Sequence, residues 1–550
     1  MKKRIGDILI EMGFIGRDQL QMALAEARES GGMLGDVLRR LDWVTEEQLQ
    51  MAIAVQSGAK VLETDAVNVD QQLISEIPQK FVVKHGIFAF ARENGVIQAA
   101  TSNPFDVVAR DELARLTGQR VTTFIAPRQW ISGNIELYYK TAQAIDSDIE
   151  AITRSRAAAE GAFEDNQIVT LADRLIEKGH VVGASDIHVV PDVNLVRIYY
   201  RIDGVLHQQY LFPNVFQRSL VTRFKIMGDM DISNPNIPHD GRIKYRGAVG
   251  EIDVRVSTFP THLGETVVMR LLSYAKVVGN LQALGFEADD LKRFLKNIRR
   301  PYGLIISTGP TGSGKTTTLY SALMTINSPD VNVMTVEDPI EYVIPTVRQT
   351  AVNPKAGLSF SNALRSAMRQ DPDIILVGEI RDRETADLAL RAAMTGHLVL
   401  STLHTNDAAS AINRLLDLGV NKSILASSLT MIIAQRLMRK ICTRCSRKVP
   451  LTEKGKEIFH KSGLKPPQTV MTPAGCESCY HSGYSGRTGI YEVLKVDRNI
   501  QHLIFSEALQ SVIEDAAVKA GTSLMFKQAL KKVMTGVTSL KEVYRVAADA

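Results

Sequence analysis

Gly309, Pro310, Thr311, Gly312, Ser313, Gly314, Lys315 and Thr316 form a G-x-x-x-x-G-K-[ST] run, with Thr317 directly behind. The chemistry of such a run is phosphate binding. Glycines let backbone N–H groups close around a β-phosphate at a helix N-terminus, a lysine reaches the β/γ-phosphates, and a Thr hydroxyl ligates Mg²⁺. The flanks suit that role. Residues 302–308, Tyr-Gly-Leu-Ile-Ile-Ser-Thr, are a short apolar run of strand type, and residues 317–324 can continue as a helix. The chain is therefore expected to bind a nucleoside triphosphate, with Lys315 on the phosphates and Thr316 on Mg²⁺.

Three further clusters follow. Residues 335–341 place Glu337, Asp338 and Glu341 at the end of an apolar run. Residues 373–382 read as a buried strand ending in Glu379, where a nucleotide hydrolase keeps the carboxylate that orients water or Mg²⁺. The position where an aspartate commonly precedes that glutamate holds Gly378, so the catalytic water is assigned to Glu379, and the cluster around Glu337 is expected to assist with Mg²⁺. Residues 396–406 carry His397 and His404 on either side of an apolar strand. The polar end of that strand is expected beside the γ-phosphate as a sensor of nucleotide state.

The four cysteines form two C-x-x-C pairs, Cys442/Cys445 and Cys476/Cys479. Two such pairs about thirty residues apart supply four thiolates for a closed tetrahedral Zn²⁺ site. A redox reading would need one pair beside a thioredoxin-like pattern, and none is present.

These residues need several domains to hold them. At 550 residues the chain is too long for one core. With 45% hydrophobic and 23% charged residues and a net charge of +5, nothing in the composition demands nucleic acid or anionic lipid. No apolar run approaches the eighteen or so residues of a membrane span, and no signal peptide is recognisable, so a cytoplasmic location is expected. Residues 1–58 contain a unit used twice at an offset of 29 residues: residues 4–9 recur as 33–38 and 19–24 as 48–53. Each copy reads as helix, turn, helix, with a helix start at Thr45-Glu46-Glu47-Gln48. Residues 59–140 read as a second, α+β unit and 141–165 as a polar linker. Residues 166–280 are strand-rich, and 281–550 alternate strands and helices as in an α/β domain with a largely parallel sheet.

From Gly309 to Asn406 the chain resembles the secretion ATPases of type II secretion and type IV pilus systems, the GspE/PilB group. Its Walker A, Asp box, Walker B and His box match residues 309–316, 335–341, 374–379 and 397–404, and the glycine before the Walker B glutamate is a trait of that group. The likeness reaches upstream to 183–188, 200–206 and 253–258, and downstream to Ala434-Gln435-Arg436-Leu437 and 486–492. It implies a RecA-like ATPase domain behind a smaller α+β, PAS-like domain, with ATP and Mg²⁺ in the cleft and Zn²⁺ on the cysteines. It further implies a homo-hexamer at the inner face of the bacterial inner membrane, with an inner-membrane platform protein and a cytoplasmic docking protein as partners. Arg255 and Arg270 would be the arginines that reach the phosphates. Their physical role would be charge stabilisation of the transferring phosphoryl group.

The N-terminal repeat resembles the MshEN domain, a cyclic di-GMP module. That resemblance implies ligand contacts at Arg4, Gly6, Gly35 and Gln56. Ala27 stands where glutamine is expected, Met33 where a basic residue is, and Asp42 where glycine is. The alternative for this repeat is a helical docking module for a membrane-bound partner. For the chain as a whole, one rival is a RecA-like nucleic-acid translocase, which would want basic and aromatic stacking surface, whereas only 6% of residues are aromatic. A second rival is a nucleotide-responsive scaffold without catalysis.

Overall fold

The computed structural model describes residues 4–30, 34–41, 43–64, 67, 69–93, 95–135, 138, 142–153, 165–247, 249–272 and 281–547. The chain divides into two compact units, Met1–Lys276 and Val277–Ala550.

In the first unit, the repeat gives helices Ile5–Glu11, Arg17–Ser30, Leu34–Arg40 and Glu46–Ser57, whose starts keep the 29-residue offset. Thr45 caps the last of these through a reciprocal box: Gln48 N–H donates to Thr45 Oγ1 (3.2 Å) and Thr45 N–H to Gln48 Oε1 (2.9 Å). Met33 and Asp42 lie outside the described residues. Next comes a mixed sheet of β1 (Lys60–Val61), β2 (Ile87–Glu93), β3 (Val96–Thr101) and β4 (Arg120–Ile125), in the order β1-β4-β3-β2. Its core is Phe81, Phe88, Phe90, Ile97, Leu113 and their neighbours.

The strand-rich segment forms an antiparallel sheet of β5 (Asp186–Pro191), β6 (Leu195–Ile202), β7 (Val205–Pro213), β8 (His239–Gly247), β9 (Gly250–Thr261) and β10 (Gly264–Leu272), ordered β7-β6-β5-β10-β9-β8. Period-2 alternation gives it one apolar face. Ile187, Val189, Val196, Ile198, Val254, Val256, Val267 and Met269 pack there against helices Asp165–Val181 and Phe216–Met227.

Residues 142–153, read from the sequence as linker, are instead a helix, Ala142–Thr153. Ile145 and Ile149 are fully buried in the core just described, and Ile152 packs beside them. Asp148 Oδ2 takes Arg174 Nε at 2.8 Å, while Asp146 pairs with Lys178 and accepts from Tyr210 OH at 2.6 Å. Three isoleucines at i, i+4 and i+7 suffice for an apolar stripe, but amid polar residues the stripe is too narrow to stand out in the sequence. The remaining stretch, 154–164, lies outside the described residues.

The second unit is built on one sheet. Its strands are β11 (Gly303–Thr308), β12 (Val333–Glu337), β13 (Arg348–Ala351), β14 (Ile374–Val377), β15 (Leu398–Leu403), β16 (Leu429–Ile441) and β19 (Tyr484–Lys495). Their order is β13-β12-β14-β15-β11-β16-β19; all neighbours are parallel except β16 and β19. Leu304, Ile306, Ile375, Val377 and Val399 enter one core, while Ile305, Ile374, Leu376, Leu398 and Leu400 enter the other. Both faces are covered, which is why these strands are continuously apolar. A small two-stranded sheet pairs β17 (Arg447–Pro450) with β18 (Thr469–Thr472) antiparallel, with helix Glu453–Lys461 between them in the chain.

One acid of this unit is deeply buried. Glu492 on β19 is 4% exposed, and its Oε1 accepts from the Ala408 N–H at 3.3 Å. Burial pushes its pKa up to about 7; the Ala408 N–H works against that rise, and Asp407 and Glu514 add to it. A folded-state pKa above the unfolded value means that ionisation penalises the fold: the cost is absent below about pH 4.5, grows through the rise to 7 and is complete above it. Glu492→Gln is therefore expected to stabilise the protein above pH 7 by about 2–3 kcal/mol, and not near pH 4.5. Thermal melts of both proteins at pH 5 and pH 8 check this, and equal gains at both would contradict it.

Candidate functional site

The parallel strands of the second unit bring their C-terminal ends to one edge, the edge where open α/β sheets bind ligands. Thr308 of β11 pairs with Leu403 of β15, and Val377 of β14 with Ser401. Residues 309–314, Glu379 and His404 therefore leave the sheet at the same edge.

The glycine loop runs from β11 into helix Lys315–Ile326. Lys315 is buried, and its Nζ donates to Gly309 O (2.8 Å) and Pro310 O (3.1 Å). Burial lowers its pKa, and the negative charge of Glu379 works against that fall. Ser313 Oγ is buried without a hydrogen-bond partner. A cationic nitrogen held by backbone carbonyls and a buried hydroxyl with no partner are what an incoming phosphate would satisfy, so these residues fit a nucleotide. Thr316 is exposed on the first helical turn, where its hydroxyl can reach a Mg²⁺ bound to that phosphate.

Glu379 follows Gly378 at the end of β14. Thr402 Oγ1 donates to Gly378 O at 2.7 Å, and Ile380 N–H to Thr402 O at 3.1 Å, tying this turn to β15. A Cβ on Gly378 would stand 3.2 Å from Val336 O and 3.3 Å from Glu337 Cα. That closeness gives a steric reason for glycine where an aspartate is usual. Arg381 NH2 lies 2.5 Å from Glu379 Oε1, and His404 Nε2 lies 3.6 Å from Oε2. Burial lowers the His404 pKa, Lys315 and Arg381 lower it further, and Glu379 opposes them, a balance that favours the neutral ring. Thr405 N–H donates to Thr308 Oγ1 at 2.9 Å, which binds the His404 turn to the strand under the phosphate loop.

Two expectations change. His397 precedes β15 at the opposite edge, where Leu398 pairs with Gly303, and its Nδ1 lies 2.9 Å from Ala392 O. A six-residue strand separates it from His404, about 20 Å. Residues flanking a strand must lie at opposite edges, so the structure does not bring His397 to the phosphate loop. Glu337 ends β12 at the correct edge but is only 3% exposed. Its carboxylate accepts from Tyr320 OH, Thr335 Oγ1 (2.5 Å) and Gln349 Nε2 (3.1 Å), an internal hydrogen-bonded role. The exposed neighbour Asp338 instead faces Arg381, 3.9 Å from its NH1. The sequence reading gave Arg381 no role, although its position two residues after Glu379 was a usable signal.

Arg255 and Arg270 belong to the first unit. They face each other across β9 and β10 in register, and Arg270 Nε donates to Asp186 Oδ1 at 3.0 Å. Arg201 Nε stands 3.6 Å from the other oxygen of Asp186. Gly6 and Gly35 have a packing explanation. A Cβ on either would collide with an equivalent leucine, at 2.6 Å from Leu20 Cδ1 or 2.9 Å from Leu49 Cδ2. Arg4 is exposed and Gln56 is half-buried on helix Glu46–Ser57.

The cysteines form a second centre. Their sulfurs all lie within 4.8 Å of one another, with Cys442–Cys476 at 3.9 Å, Cys445–Cys479 at 3.8 Å and Cys476–Cys479 at 3.7 Å. A tetrahedral Zn²⁺ with Zn–S bonds of about 2.3 Å requires edges of about 3.8 Å. N–H groups of Gly475, Cys476 and Gly483 donate to the sulfurs at 3.2 Å, the outer-shell donors that thiolates need. The set fits zinc.

Comparison with known proteins agrees with this arrangement. The family described as "Type II/IV secretion system protein" matches residues 162–545, and the MshEN domain matches 57–145. The MshEN match thus falls on the α+β unit, whereas the sequence reading attached that resemblance to the helical repeat before it. The type IV pilus assembly ATPase PilB of Myxococcus xanthus is 37% identical over 559 residues, covering 99% of this chain and 98% of that protein. The type II secretion system ATPase E of Vibrio cholerae is 43% identical over 387 residues, 70% of this chain and 76% of its own. The ATPase DotB of Legionella pneumophila shares the fold, with a TM-score of 0.52 at 22% identity over 69% of this chain and 95% of its own. The phosphate loop, the carboxylate beside it and a match over most of the length agree: the chain belongs to the Type II/IV secretion system protein family and is a P-loop ATPase.

Proposed function

We propose that the protein is a hexameric motor that couples ATP hydrolysis to assembly of a type IV pilus at the cytoplasmic face of a bacterial inner membrane. Lys315 binds the β/γ-phosphates, Thr316 ligates Mg²⁺ and Glu379 orients the attacking water. Arg255 and Arg270 approach the nucleotide as domains close and neutralise charge on the transferring group. The output is the opening and closing of domains around that cycle. An inner-membrane platform protein and a cytoplasmic docking protein receive the motion. Residues 57–145, matched by the MshEN domain, are the regulatory module, with cyclic di-GMP as ligand.

The observation that favours a pilus is the end-to-end match to the Myxococcus xanthus relative, which includes the N-terminal repeat and the sheet after it. A second reading, the motor of type II secretion, is favoured by the higher identity to the Vibrio cholerae relative over the ATPase region. No helix among the described residues is long and apolar enough to cross a membrane, which is compatible with attachment through partners in either machine.

Deleting the gene in its own host separates the two readings. Loss of surface pili under electron microscopy with an unchanged profile of secreted proteins is expected. Intact pili with lost exoproteins would replace the pilus reading by the secretion one.

A further inference from the structure

We propose that Gln435 is a positioning residue for nucleotide: it holds the back of the phosphate loop so that the loop's N–H groups face the phosphate before any ligand arrives. Gln435 lies on β16, next to Ala434, which pairs with Thr308 at the end of β11. It is 1% exposed, and both ends of its amide are used. Oε1 accepts from Ser307 Oγ at 3.2 Å, and Nε2 donates to Ser313 O at 2.9 Å. The orientation follows from chemistry, because a carbonyl can only accept and must face the NH₂ end.

The bond to Ser313 O sets a peptide plane. In a trans peptide the C=O of one residue and the N–H of the next point in opposite directions. Drawing Ser313 O back onto β16 therefore turns the Gly314 N–H away from β16. The glycines permit the approach. A Cβ on Gly309 (φ +148°) would stand 2.4 Å from the backbone oxygen of Gln435, and one on Gly314 (φ +90°) 3.2 Å from its Nε2. Gln435 stands in the Ala434-Gln435-Arg436-Leu437 run of the family resemblance, but its bond to Ser313, 122 positions away, has no local signal.

The loop is thus held twice. Lys315 closes it from within by donating to Gly309 O and Pro310 O, and a phosphate must take over those contacts. Gln435 holds it from behind, in contacts a phosphate has no need to disturb. This brace acts on substrate, transition state and product alike, so its loss weakens binding uniformly, raising KM and leaving kcat nearly unchanged.

The test is Gln435→Leu in the full-length protein, read by ADP titration calorimetry and steady-state ATP hydrolysis. ADP is expected to bind about tenfold more weakly, or about 1.4 kcal/mol, with KM for ATP rising in parallel and kcat within about threefold of wild type. An unchanged Kd and KM alongside a lower melting temperature would reduce Gln435 to core packing and overturn the proposal. A fall in kcat at constant KM would overturn it as well. Should Gln435→Leu not fold, Ser307→Ala removes one anchor of the amide; a rise of about two- to fivefold in the ADP Kd is then expected, and none would overturn it. The proposal rests on the phosphate-loop assignment, so wild-type protein is titrated first. No ADP binding there would overturn both.

Discussion

Glu379→Gln is expected to bind ATP about as tightly as wild type and to hydrolyse it about 10²–10⁴-fold more slowly. The substitution keeps the size of the side chain, so Arg381 retains its acceptor at Oε1 and the new amide nitrogen takes the place of the oxygen opposite His404. What disappears is the negative charge that accepts or orients the proton of the attacking water. Lys315 stays on the loop, and the loop's bonds to β16 do not involve position 379. Ground-state binding should therefore survive while the transition state loses its base. Two measurements on one preparation decide it: equilibrium binding of a fluorescent ATP analogue, and phosphate release under saturating ATP. Turnover at the wild-type rate would falsify the role given to Glu379. Loss of binding together with turnover would instead place the carboxylate in Mg²⁺ or phosphate retention.

The second large effect is at the cysteines. Purified protein is expected to carry one zinc per chain, and Cys445→Ser is expected to lower the melting transition of the second unit by roughly 10 °C or more. The basis is energetic. A structural Zn²⁺ contributes about 10–16 kcal/mol of apparent binding energy in zinc-finger peptides, and losing one of four ligands forfeits a sizeable part of it. At about 2–4 °C per kcal/mol for a large domain, a loss of several kcal/mol gives the stated shift. The cluster is built into the unit: Cys442 N–H donates to Gly483 O at 3.0 Å, and Ile441 N–H donates to Val537 O at 2.9 Å. Without metal, burial pushes the Cys442 thiol up to about 12, so that sulfur stays protonated and gains no charge-assisted bonds. Metal analysis and calorimetry before and after a strong chelator check the claim. Protein that contains no zinc and melts unchanged after Cys445→Ser would refute it.

Much of the site was legible because its signals are local. The phosphate loop is contiguous, and its strand-before, helix-after context lies within a few residues on each side. The Thr45–Gln48 capping box spans one helical turn, and the 29-residue repeat reappears as two helix pairs whose starts keep that offset. The C-x-x-C pairs needed only the assumption that they meet, and their sulfurs do. Glu379 could be placed because a four-residue apolar strand ends just before it.

Other features depended on which faces pack. The two histidines around β15 looked equivalent, yet a strand that crosses the sheet sends one to the phosphate loop and the other to the far edge. Glu337 carries the charge that Mg²⁺ prefers, but Tyr320, Thr335 and Gln349 draw it into a buried network. Helix Ala142–Thr153 reads as polar linker until Ile145 and Ile149 find the core formed by residues 168–271. Gln435 stands in a run that carries the family resemblance, yet its bonds to Ser307 and Ser313 arise only once β16 lies beside β11. Sequence by itself determined the chemistry of each short motif, because φ/ψ preference, capping and ligand spacing act over a few residues. Only the tertiary structure decided which of those groups share a site, because that depends on strand order and on partners such as Gln435 and Ser307, 128 residues apart, where loop closure leaves no local trace.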